Sequence, residues 1–140
     1  MFELFRIWLV VAGVGISLAG AAISLLGGTR VFAPINRLFD PAFWPGAPDE
    51  ATRRYQAWIY GVLGGTMAGW GVTVTVLVSQ AYASREGWVW WAVAAGTALW
   101  YVLDTTQSVR YRVYANAVIN TALLVALAIP LALTFTEFRW

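Results

Sequence analysis

The chain has 140 residues, of which 60% are hydrophobic and 11% charged, whereas soluble domains carry about 25% charged residues. One soluble core of this length cannot bury so much apolar side chain, and the remainder must face lipid. There is no Cys or His and every basic residue is Arg, which removes disulfides, thiolate or imidazole metal ligation, the commonest general base and lysine Schiff-base chemistry; a formal charge of +2, split among separate loops, provides no nucleic-acid footprint.

Ile7 to Gly27 is an uncharged run of 21 residues, long enough as a helix to cross a hydrocarbon core of about 30 Å. A cleaved signal peptide is the rival reading, with Arg6 before the apolar core and Ala19-Gly20-Ala21 as the cleavage site. The membrane helix is the preferred reading. Gly13, Ser17, Gly20, Ser24 and Gly27 recur at alternating spacings of four and three. They form one seam on which another helix backbone can approach closely.

Thr29 to Arg54 is a polar connector marked by Pro34, Pro41, Pro45 and Pro48. Pro34 predicts the first position of a short helix in which Ile35, Leu38 and Phe39 share a face opposite Asn36, Arg37 and Asp40. With Phe43 and Trp44 following, this connector is expected either in the interface plane or folded back over the bundle mouth. Packing on its own helices is the simpler alternative.

Asp49 is the expected N-cap of a second membrane helix, with Glu50 near the positive end. Gly61, Gly65 and Gly69 recur every four residues in it, extended by Ala57 and Thr73. This GxxxGxxxG stripe predicts a close crossing, either with the first helix or with another subunit. Packing against the first helix within the chain is the preferred reading.

After a turn containing Arg85 and Glu86, a third helix opens with Trp88, Trp90 and Trp91 and reaches Trp100 and Tyr101 at its far end, positions suited to the two headgroup belts. A fourth contains Pro130, which removes one backbone hydrogen bond and predicts a bend. The expected fold is therefore an all-α, four-transmembrane-helix bundle. Its single domain spans residues 1–140, with helices at about 7–27, 50–80, 88–108 and 113–135 and a Pro-rich interfacial connector between the first two. Six arginines fall on the connector side and three on the other. The excess places that side in the cytoplasm and both termini outside, in a bacterial cytoplasmic membrane.

The densest polar chemistry lies between Leu103 and Thr121. Asp104 is roughly 24 Å along the third helix from Trp88, about one turn inside the hydrocarbon edge. Its carboxylate must be compensated locally. Ser108 lies one turn on, and Asn116 and Asn120 lie one turn apart on the antiparallel fourth helix. Gln107, Gln56 and Tyr60 complete the candidate polar pocket, and Arg54, Arg110 and Arg112 are candidates for headgroup binding or for ion pairing with Asp104. The functional reading is a pocket binding a cation, a proton or a lipid headgroup. The structural reading is a polar tie between two helices, and it is favoured.

No zinc, calcium or phosphate-loop spacing is present, and no catalytic residue is assigned. The expected function is a small non-enzymatic subunit, accessory or oligomeric, that binds lipid or partner helices. The alternatives are a channel or transporter for a small cation, proton or amphiphile at Asp104, and an enzyme acting on lipid or isoprenoid substrates. Membrane lipids, a second copy or a larger membrane complex are the expected partners. No cofactor is predicted, although the aromatic content is compatible with a lipid, quinone or pigment held by apolar contacts.

Overall fold

The computed structural model describes residues 1–140, which form five α-helices and no strands: α1 (Phe2–Leu26), α2 (Ala33–Phe39), α3 (Glu50–Val76), α4 (Gly87–Arg110) and α5 (Tyr114–Thr134). Three helical stretches, Phe2–Leu26, Glu50–Ser84 and Tyr114–Glu137, are long and apolar enough to cross a membrane. Only 23 residues are buried, while Leu4, Val11, Leu18 and Leu25 on α1 and Trp58, Val62 and Val72 on α3 project outward. Water does not tolerate a surface so continuously apolar.

Local chemistry accounts for the helix ends. Helix α1 starts at Phe2, ahead of the uncharged run, because Arg6 pairs with Glu3 one turn away at 2.8 Å and satisfies an otherwise costly charge. The Asp49 carboxylate accepts the Thr52 N–H at 2.8 Å and so caps α3 as expected. The hydrogen bonds from Thr52, side chain first and then backbone, hold the Asp49 carboxyl below its usual range. Helix α3 does not stop at Val76 but continues as one π-helical turn, Leu77–Ala81, and a 3-10 turn, Tyr82–Ser84. Arg85 then reverses the chain in the left-handed region, at φ 56°. Arg112 does the same, at φ 62°, between α4 and α5.

Two antiparallel pairs make the bundle, α1 with α3 and α4 with α5, and α1 joins them by packing on α5. The small-residue seam of α1 is used as expected. A Cβ added at Gly13 would lie 3.2 Å from Gly71 O, and one added at Gly20 would lie 2.7 Å from Gly64 O. Ser24 Oγ donates to Gly61 O across the interface at 2.9 Å, and Ser17 Oγ turns back to Gly13 O at 3.0 Å.

The complementary face of α3, however, is not the expected one. Gly64, Ala68 and Gly71 meet α1, whereas a Cβ at Gly61 would reach only Ser24 O at 3.9 Å and one at Gly65 or Gly69 would touch nothing. The reason is rotational. Gly64 and Gly71 are seven residues apart, matching the Gly13 to Gly20 interval on α1, so the seven-residue repeats of both helices interlock while the four-residue stripe drifts off the contact.

Helix ends gather at two poles. At one pole Phe2, Tyr82 and Phe138 pack together, with Tyr82 and Phe138 edge to face at 4.7 Å. Tyr82 is fully buried and its hydroxyl meets Thr134 Oγ1 at 2.6 Å. Trp90 Nε1 donates to Leu131 O at 2.9 Å, the residue after Pro130 in the helix. At the other pole the connector folds back, with Phe32 packed on Tyr60 and Phe43 lying 6.2 Å from the Tyr111 ring. The short helix expected at Pro34 begins one residue earlier, at Ala33, with Pro34 second in its first turn, and Ile35 and Leu38 are exposed.

Candidate functional site

Asp104 sits two turns before the end of α4, and the three-residue turn after α4 brings the first turns of α5 alongside it. Its Oδ1 accepts from Asn116 Nδ2 at 2.7 Å, from Asn120 Nδ2 at 2.8 Å and from Ser108 Oγ at 3.3 Å. Each amide uses both of its N–H groups, Asn116 on Ser108 Oγ at 2.8 Å and Asn120 on Thr105 Oγ1 at 3.3 Å. Ser108 donates principally to the Asp104 backbone carbonyl, at 2.8 Å. Ser108 and Asn120 are buried, and Asp104 and Asn116 are half-buried. The four polar residues taken from the sequence as the centre of the site thus form one connected network.

The arrangement joins two helices by hydrogen bonds to an anion, which are stronger than bonds between neutral groups. Only one carboxylate oxygen is engaged. No guanidinium pairs with Asp104: the two ion pairs of the chain are Glu3–Arg6 and Arg85–Glu137, both at the opposite pole. This corrects the expected pairing with Arg54, Arg110 or Arg112. Arg54 and Arg112 are exposed, and Arg110 lies over the Tyr111 ring at 5.6 Å. Gln107 is likewise exposed.

Gln56 and Tyr60 also belong elsewhere. Gln56 Nε2 donates to Asp40 Oδ1 at 2.7 Å and to Tyr60 Oη at 3.2 Å, a second polar cluster that ties the connector to α3. The sequence signal for it was weak, since Asp40 and Gln56 meet only because the connector doubles back. Beside this cluster is a cavity of about 720 Å³ between the connector and the ends of α1 and α3, lined by Arg30, Arg37, Arg53, Asn36, Asp40 and Gln56 among others. Charge spacing alone did not reveal it. Arg53 is oriented by its Nε, which donates to Pro48 O at 2.9 Å.

The chain matches no family model, and no curated protein or solved structure matches it.

Proposed function

We propose that the chain is a non-enzymatic integral membrane subunit with four crossings, which associates through the open glycine face of α3. The carrying observation is that a Cβ added at Gly65 or Gly69 would touch nothing within 4 Å, while the other face of the same helix is filled by α1. A bare helix face lets a second backbone come close, and in lipid such packing is a main source of association. The same face of a second copy is the occupant we favour. The fourth crossing is α4: its 24 residues span about 36 Å, and it runs antiparallel to α5. Its Trp, Tyr, Gly and Thr content makes it less apolar than its neighbours. In this reading the connector lies at the cytoplasmic interface, where Ile35, Leu38 and Phe43 are exposed to headgroups.

The test is energy transfer between donor- and acceptor-labelled full-length chains in vesicles of increasing lipid-to-protein ratio. Transfer should survive dilution in the wild type and disappear in Gly65→Leu with Gly69→Leu. A wild type whose transfer dilutes away as for monomers, or a double variant that associates unchanged, would refute the reading.

A second reading, movement of a proton or small cation past Asp104, is favoured by one observation: the carboxylate has no cationic partner and keeps one oxygen out of the hydrogen-bond network. It requires liposome flux that is lost in Asp104→Asn with the fold retained. Flux unchanged by that substitution rejects it.

A further inference from the structure

We infer that the cavity under the connector is a binding site for a phosphate ester whose substituent carries hydroxyl or ammonium donors. Its walls include three exposed arginines, Arg30, Arg37 and Arg53, around one concavity against a single acidic residue, Asp40. None of the three has an acidic partner, whereas the chain forms its two ion pairs where a carboxylate is at hand. Arginines gathered without counter-charge repel one another, and a bound phosphate relieves that repulsion through short, charge-assisted hydrogen bonds, often two per guanidinium. Arg53 is pre-oriented, because its Nε is held by Pro48 O at 2.9 Å and its terminal nitrogens remain free for an anion.

The acidic side of the cavity sets the rest of the ligand. Asp40 commits one oxygen to Gln56 at 2.7 Å, which leaves the other to accept a donor. Asn36, on the same wall, has an amide oxygen with no partner in the chain. Phosphate alone would face that carboxylate unfavourably; a phosphate bearing a glycerol or ethanolamine substituent places donors there. The volume of about 720 Å³ lies within the range of small-molecule sites, about 300–1,000 Å³, and holds far more than a phosphate. Two sources share this chemistry, a lipid headgroup and a soluble phosphate ester. The site stands on its own cavity and does not depend on association through the glycine face.

The experiment uses the full-length chain in detergent, read by native mass spectrometry with phosphatidylglycerol or phosphatidylcholine and by calorimetric titration with glycerol 3-phosphate. Arg30→Gln with Arg37→Gln should weaken binding by about ten-fold or more, the loss expected for charge-assisted bonds. Arg54→Gln with Arg110→Gln, which removes equal charge at the same pole but outside the cavity, should change it by less than about three-fold. Circular dichroism checks that both pairs keep the fold. Binding of phosphatidylglycerol alone supports the site and assigns it to a lipid headgroup, and binding of glycerol 3-phosphate without lipid supports it for a soluble ester. Binding of neither, or equal loss in the two double variants, overturns the site. Phosphatidylcholine, which lacks donors, should bind weakly; equal binding to phosphatidylglycerol would overturn the role of Asp40 and Asn36.

Discussion

Asp104 shows how a charge is accommodated near the end of an apolar helix: donors are supplied from the next helix in place of a counter-ion. The magnitudes make its loss measurable. Interhelical hydrogen bonds in membranes average about 0.6 kcal/mol, but Asn120 is 3% exposed and places one of its two bonds on a carboxylate. Asn120→Ala should therefore cost about 1–2 kcal/mol in thermal unfolding followed by circular dichroism. Asp104→Asn keeps an oxygen acceptor and should cost less than Asp104→Leu, which orphans one N–H of each amide. Combining Asp104→Leu with Asn120→Ala should cost less than the sum of the two, and strict additivity would show that the network carries no coupling. At the start of α3, the Asp49 carboxyl is held below its usual range by Thr52. A folded-state pKa below the unfolded one stabilises the helix above that unfolded value, about pH 4, and the contribution fades as the pH falls through the folded pKa. Hydrogen exchange at the first turn of α3 should accelerate on acidification, and Asp49→Ala should abolish that pH dependence.

At the scale of elements, two helices with glycine repeats do not pack on whichever repeat is most regular. The GxxxGxxxG stripe of α3 is the stronger motif by eye, yet α1 takes the Gly64 and Gly71 face, where the intervals of both helices agree. A Cβ at Gly71 would fall 2.6 Å from Ser17 N and 2.7 Å from Gly13 O, atoms that move only with the backbone. Gly71→Leu should thus destabilise the monomer by at least about 1–3 kcal/mol. Gly65→Leu, placed in open space, should change monomer stability by no more than about 0.5 kcal/mol. Equal effects in thermal unfolding in detergent would mean that the α1–α3 pair is seated differently. The π-helical turn at Leu77–Ala81 was not legible in advance, because no Pro or Gly marks it. It extends α3 by a wider turn into the pole where Val78 and Tyr82 are fully buried, so packing decides it.

For the whole molecule, the outward apolar surface and the two poles lead to a topology that labelling can test. The chain has no Cys, so single cysteines report cleanly. Gly46→Cys and Arg110→Cys should react with a membrane-impermeant maleimide from one side, and Ser84→Cys and Thr136→Cys from the other. The accessible side for the first pair should be the cytoplasm, given six arginines at that pole against three. Labelling of Ser84→Cys from the same side as Arg110→Cys would eliminate the crossing by α4.

Hydropathy and composition by themselves determined the helical class, three of the four expected spans, the Asp49 cap, the short helix containing Pro34 and the Asp104–Ser108–Asn116–Asn120 network. Each follows from local periodicity, or from a three-residue turn that leaves neighbouring helices no choice but to be antiparallel. The tertiary structure alone decided which face of α3 meets α1, that Gln56 and Tyr60 serve Asp40, and that three arginines surround one cavity. These depend on helix rotation and on the path of a long connector, and neither is encoded in the spacing of nearby residues, because both are settled by contacts between segments far apart in the chain.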